Sequence, residues 1–163
     1  MKQERDIVIE ARDVCKYFPV RGAIGNTVGH VKAVDGVSLD LYRGETYGVV
    51  GETGCGKSTL GRALMRLFPI PSGIVKIKGQ DMKDMPNTVL RKQIQMIFQD
   101  PYNSLNPRQR IGDILTETLT IHNLGAKSER MDVALEMLGK VGLHSEHYYR
   151  YPHELSGGQR QRV

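Results

Sequence analysis

The sequence predicts an α/β fold with a helical lobe inserted late in the chain. Three observations predict it. Apolar and polar residues alternate at period two in the first part of the chain, a short apolar run leads through a glycine-rich loop into a helical pattern, and beyond Pro107 the apolar spacing becomes that of helices.

Taken in order, Ile7, Ile9 and Ala11 alternate with Val8, Glu10 and Arg12, and Val37, Leu39 and Leu41 alternate with Ser38, Asp40 and Tyr42. Two early strands follow from that period. The stretch between them, Pro19 to Gly29, is rich in glycine and has no period, which predicts a surface loop. Thr46 to Val50 reads as a short strand entering the glycine loop, and Thr59 to Phe68 as a helix stopped by Pro69 and Pro71. Val75 and Ile77 fall on one face of a further strand. Ile94, Met96 and Phe98, with Ile97 behind them, read as a buried one.

In the lobe, Ile111, Ile114, Leu115, Thr118, Leu119 and His122 lie on one helix face. A second helix is expected to start at Ser128 as N-cap, to bury Met131, Ala134, Leu135, Leu138 and Val141, and to end at Gly142.

The chain has 163 residues, 39% hydrophobic and 25% charged, enough for one domain with one core. Its net charge of +5 is spread along the chain without a long basic block, so charge does not by itself select nucleic acid or a membrane surface. Cys15 and Cys55 have neither metal-ligand nor redox spacing, and a reducing cytosolic setting fits them best. The charged opening Met1 to Asp6 is unlike a signal peptide, and no apolar run approaches the roughly 18 residues of a membrane span. Work at a membrane would require docking by another protein.

Gly51-Glu52-Thr53-Gly54-Cys55-Gly56-Lys57-Ser58 matches the phosphate-loop pattern G-x-x-x-x-G-K-[ST] in full, and Thr59 follows it. Glycines free the backbone to turn its N–H groups onto phosphate oxygens. Lys57 supplies a point charge for the β and γ phosphates, Ser58 a hydroxyl for Mg²⁺, and the following helix presents its positive end to the anion. Cys55 is a spacer, and the competing reading is a glycine-rich turn with a solvated lysine.

Leu155-Ser156-Gly157-Gly158-Gln159, about a hundred residues downstream, resembles the signature of ABC-type ATPases, and Phe98-Gln99-Asp100-Pro101-Tyr102 resembles their Q-loop. Tyr151-Pro152-His153-Glu154, Ser104-Leu105-Asn106-Pro107 and the run Gly29 to Leu39 are similar to the branch serving dipeptide and oligopeptide importers. The resemblance covers essentially the whole chain and implies a P-loop NTPase fold, an ABC-type ATPase core with an inserted helical lobe. Residues 1–98 would form the α/β core, and residues 99–163 the Q-loop, helical lobe and signature.

By that resemblance the cofactors are ATP and Mg²⁺, and the activity is ATP hydrolysis coupled to import of peptides or related small solutes. The nucleotide would be held by Gly51 to Thr59, with Ser58 and Gln99 at the metal and Lys57 and Gln99 serving catalysis. Ser156, Gly157, Gly158 and Gln159 would face the γ phosphate held by a second ATPase subunit. Transmembrane permease subunits would be the docking partners at the cytoplasmic face, with a solute-binding protein involved indirectly. Adenine would stack on an aromatic residue near the end of the first strand. Lys16-Tyr17-Phe18 offers two neighbours facing opposite ways; spacing from Lys16 selects Phe18, the alternatives being that Phe18 is core and Tyr17 stacks, or that neither does.

Ser156-x-x-Gln159 is also a capping box, so a helix is expected to start there. His144, His147, Tyr148, Tyr149 and His153 lack metal spacing and read as surface or packing residues. The resemblance places a Mg²⁺-binding Asp, a Glu polarising the attacking water and a switch histidine beyond Val163. The 163 residues alone are therefore expected to hydrolyse ATP negligibly and to leave a sheet position unfilled. Two other readings stand beside this one. A soluble ABC ATPase acting on nucleic acid is disfavoured because no heptad run separates loop from signature; a noncatalytic ATP-binding regulatory module is disfavoured by the absence of a capping Gly or Pro near Val163.

Overall fold

The computed structural model describes residues 6–100 and 104–163. The chain divides into two compact units, Met1–Gln95 and Met96–Val163.

The first unit is built on an antiparallel sheet of β1 (Ile7–Arg21), β2 (Thr27–Tyr42), β3 (Ser72–Ile77) and β4 (Gln80–Asp81), in the order β2-β1-β3-β4. Both edges of β1 are used: Ala11 pairs with Leu39 on one side and Val75 on the other. Ala11 and Val14 are both fully buried although they differ in parity. A register shift between them, with Asp13 at φ 47°, moves the strand by one residue and returns an apolar side chain to the core face. Val75 and Ile77 share that face as predicted.

Three elements cover it. Helix α1 (Lys57–Leu64) buries Leu60 and Ala63, a 3₁₀ turn at Met82–Asp84 contributes Met82, and α2 (Asn87–Gln93) contributes Leu90. Each buried Leu, Val or Met side chain stabilises by about 1.5–3 kcal/mol.

Four sequence expectations are corrected in this unit and at its end. Pro19 to Gly29 is not a loop: Pro19 pairs with His30 and Val20 with Gly29, and only Gly22 to Asn26 turn. Pro19 lies beyond the last β1–β3 pair, Cys15 with Ser72, so β1 needs hydrogen bonds there on one side only and tolerates a missing N–H. Helix α1 ends at Leu64, before the prolines. Arg66 takes φ 52°, its N–H reaches Ala63 O at 3.0 Å and the Leu67 N–H reaches Arg62 O at 2.9 Å, a Schellman stop. The Arg66 guanidinium holds that conformation by donating to the carbonyls of Met82 and Met85, the latter at 2.8 Å, and to the Asn87 side chain.

Thr46 to Val50 and Ile94 to Phe98 join no sheet among the described residues, and Val50 and Ile97 are 91% and 90% exposed. An apolar run records a tendency to be buried, whereas a strand requires a neighbour to complete its ladder.

The second unit is helical: α3 (Ile111–Ile121), α4 (Arg130–Lys140), 3₁₀ turns at Ser145–Tyr149 and Pro152–Glu154, and α5 (Gly157–Arg162). Ile111, Leu138, Leu143 and Leu155 form its core, with Ile114, Leu115 and Leu135 packed against them. Gly142 ends α4 as predicted, at φ 69°, and sends Leu143 into the core. The expected N-cap is displaced: Glu129, not Ser128, precedes α4, because residues 126–129 close a turn with the Glu129 N–H on Ala126 O at 3.0 Å. Met131 and Val141 are 38% and 39% exposed, and Thr118 faces solvent, so the buried stripes are narrower than their spacing suggests.

Candidate functional site: a glycine-built phosphate loop and a signature turn

Residues 51–56 lead into α1 through backbone conformations that favour glycine. Gly51, Gly54 and Gly56 have φ 153°, 86° and 101°. Gly56 is required twice over, because a Cβ there would lie 2.0 Å from Ala33 O on β2. The loop is thereby pressed onto the sheet at Ala33. Cys55 is exposed, and its sulfur occupies the space a side chain on Gly51 would need, 2.7 Å from that Cβ position.

Helix α1 opens with no side-chain cap and no acidic residue in its first turn, so its leading N–H groups and positive end face outward without an internal anion. The Lys57 ammonium folds back over the loop, donating to Gly51 O at 2.7 Å and Glu52 O at 2.6 Å, with Cys55 Sγ at 3.6 Å. The exposed Ser58 hydroxyl makes no hydrogen bond among the described residues and is a hard oxygen ligand on the first turn. Uncapped N–H groups, a lysine and a hydroxyl, with no acid in the first turn of α1, suit phosphate oxygens and a magnesium ion shared with them. A cavity of about 480 Å³ borders this loop, lined in part by Ala33, Asp35, Ser38, Val49, Cys55 and Lys57.

Tyr17 and Phe18 have different surroundings. The Tyr17 hydroxyl donates to Asp35, which also accepts from Lys32 Nζ at 3.0 Å. That hydrogen bond to Tyr17, followed by the one to Lys32, holds the Asp35 carboxyl below its ordinary range, while the bond to Asp35 raises the Tyr17 phenol. Phe18 is 37% exposed, and its ring meets Phe68 edge to face at 5.8 Å, with Lys16 Nζ 5.2 Å from the Phe18 centroid. Lys16 is fixed by Pro69 O at 2.9 Å. Sequence reasoning placed Phe68 at the end of a helix and not at Phe18; it meets that ring from the segment after α1, which ends at Leu64.

In the second unit Gln99 is exposed; Pro101 and Tyr102 of the Q-loop phrase lie outside the described residues. The signature forms its capping box. Ser156 Oγ accepts from the Gln159 N–H at 3.2 Å and Gln159 Oε1 accepts from the Ser156 N–H at 2.9 Å. Sequence reasoning missed what holds this box. The Gln159 amide lies 3.2 Å from Nε2 of His147, which is 3% exposed, and Arg162 reaches Val141 O and Gly142 O at 3.1 and 3.2 Å. Of the residues between Leu143 and Leu155, only His147 and Pro152 are buried.

No group of three or more His, Cys, Asp or Glu residues that could hold a metal occurs among the described residues, and no helix there is long and apolar enough to cross a membrane.

A glycine-built phosphate loop at the head of a helix and a capped L-S-G-G-Q turn define a P-loop ATPase fold of the ABC type. The chain belongs to the ABC transporter family, whose pattern matches residues 34–163. It is 50% identical over 98% of its length to the oligopeptide transport ATP-binding protein AppF of Bacillus subtilis (strain 168), covering 50% of that protein. It is 48% identical over 96% of its length to the dipeptide transport ATP-binding protein DppF of Escherichia coli (strain K12), covering 48% of it. The glutathione import ATP-binding protein GsiA of Escherichia coli O157:H7 is 48% identical over 96% of the chain, which covers 26% of GsiA. The chain thus spans about half the length of the first two relatives. Among solved structures, the dimeric post-hydrolysis state of the ATP-binding cassette MJ0796 bound to ADP and Pi superposes with a TM-score of 0.77 at 28% identity, over 94% of this chain and 66% of that one.

Proposed function

We propose that this chain is part of the ATP-hydrolysing subunit of a peptide importer, working at the cytoplasmic face of the membrane on permease subunits. The observation that carries the nucleotide reading is the loop at Gly51–Ser58: positive-φ glycines, an uncapped helix start without acids, and Lys57 lying across the loop. The peptide reading is supported by relatives named for oligopeptide and dipeptide transport.

In this reading the backbone N–H groups of residues 54–59 hold the phosphates of ATP. Lys57 exchanges its two carbonyl acceptors for β and γ phosphate oxygens. Ser58 Oγ would be a ligand for Mg²⁺ and Gln99 the second residue proposed for that ion, which would supply charge stabilisation to the transferring phosphoryl group. Gln99 relays the presence of nucleotide to the surface that meets the permease. Phe18 supplies a stacking face for adenine; its exposed ring supports it over Tyr17, whose hydroxyl is committed to Asp35. Ser156 and the amides near Gly158 complete the site held by a second ATPase subunit, so that nucleotide closes a dimer. Residues 1–98 then serve nucleotide binding, and residues 99–163 serve coupling and the signature.

Uptake of a labelled dipeptide and a labelled oligopeptide tests this in cells lacking the gene. The wild-type gene is expected to restore uptake and Lys57→Ala to fail. Normal peptide uptake without the gene would contradict the assignment.

A further inference from the structure

A buried histidine touches the signature, and the hydrogen bonds around it fix its chemistry. His147 is 3% exposed, with Nδ1 3.0 Å from His144 O. A carbonyl only accepts, so Nδ1 carries the proton, and Nε2 of the neutral ring is left as an acceptor. The group 3.2 Å from Nε2 is Gln159 Nε2, a donor. Gln159 must turn this way for an independent reason, because its Oε1 already accepts from the Ser156 N–H at 2.9 Å. Every donor meets an acceptor from His144 O through His147 and Gln159 to Ser156.

The signature helix is also held from its other end. Arg162, on the last turn of α5, donates to Val141 O and Gly142 O, in the turn just past the end of α4, at 3.1 and 3.2 Å. α5 has only six residues and buries none of them fully, so packing does little to orient it. Polar tethers take that task, and His147 is the one that meets Gln159 of the capping box.

We propose that His147 is a positioning residue for the signature: through its Nε2 acceptor it sets the Gln159 amide, and through Gln159 the Ser156 backbone and hydroxyl. The inference rests on the role given above to Ser156. A side chain held in one rotamer by a buried acceptor is preorganised, and its release costs rate without altering nucleotide affinity at the phosphate loop. The His144 ring lies nearly parallel to that of His147, with centroids 6.0 Å apart.

The test uses the intact transport ATPase with its permease. His147→Leu, which removes the acceptor, is expected to lower kcat for Mg·ATP by about tenfold or more, with KM and fluorescent-ATP affinity within about twofold of wild type. His147→Gln, which returns an oxygen near the Nε2 position, is expected to recover most of the rate at a similar melting temperature. Wild-type kcat in His147→Leu, or equal impairment in both variants, would overturn the inference. Because His147→Leu can also disturb folding, ¹⁵N NMR of the wild-type imidazole gives a second arm. A neutral Nδ1–H tautomer is expected, and an Nε2–H tautomer would overturn it. A normal rate in Ser156→Ala would instead remove the signature role itself and, with it, the reason to position it.

Discussion

Gly56 and Ala33 meet so closely that the loop and β2 share one surface: a Cβ on Gly56 would lie 2.0 Å from Ala33 O. Gly54, two residues earlier, has φ 86° and nothing within 4 Å of its Cβ position. Gly54→Ala is therefore expected to cost about 1–2 kcal/mol from the left-handed backbone alone. Gly56→Ala adds a clash worth about 1–3 kcal/mol more. Urea unfolding of both variants checks the order, and equal costs would mean that the loop does not press on β2.

A helix glycine usually gains stability on becoming alanine, and α3 and α4 separate the two cases. Gly139 in α4 has open space around its Cβ position, so Gly139→Ala should stabilise by about 0.5–1 kcal/mol. Gly112 in α3 faces the Tyr148 ring, where a Cβ would sit 2.4 Å from two ring carbons. Gly112→Ala should destabilise by about 1–3 kcal/mol. Thermal melts with opposite signs are expected.

The Tyr17–Asp35 pair makes a pH prediction. The folded Asp35 carboxyl lies below its unfolded value, so its contribution is present above about pH 4 and is lost as pH falls through the folded value. The folded Tyr17 phenol lies above its unfolded value of about 10, so its contribution is present below that pH and is lost as pH rises through the folded value. Tyr17→Phe should therefore melt lower than wild type between about pH 5 and 9, with the gap narrowing towards strong acid and alkali. A gap constant with pH would show that the hydroxyl does not act through Asp35.

Much of the site was legible because its residues carry local instructions. Glycines at positive φ, a lysine and hydroxyl at a helix start, and the Ser156–Gln159 capping box all act within a few residues, and the structure forms each locally. The elements that escaped depend on distant partners. Thr46 to Val50 and Ile94 to Phe98 have strand composition without a ladder, and Pro19 to Gly29 has loop composition inside a hairpin because β2 lies alongside. Arg66 ends α1 through carbonyls near Met82, sixteen residues later, which no local pattern could announce. His147 read as a surface or packing residue, since only the folded turn brings it to Gln159.

The central claim, that Gly51–Ser58 binds the phosphates of ATP through Lys57, is tested most directly by melting wild type and Lys57→Ala with and without Mg·ATP. Lys57 bonds two exposed loop carbonyls and the exposed Cys55 sulfur, so its removal should change nucleotide-free stability by less than about 1 kcal/mol. Mg·ATP should raise the wild-type melting temperature in proportion to the logarithm of its concentration and leave Lys57→Ala unmoved. Equal shifts in the two proteins would contradict the assignment.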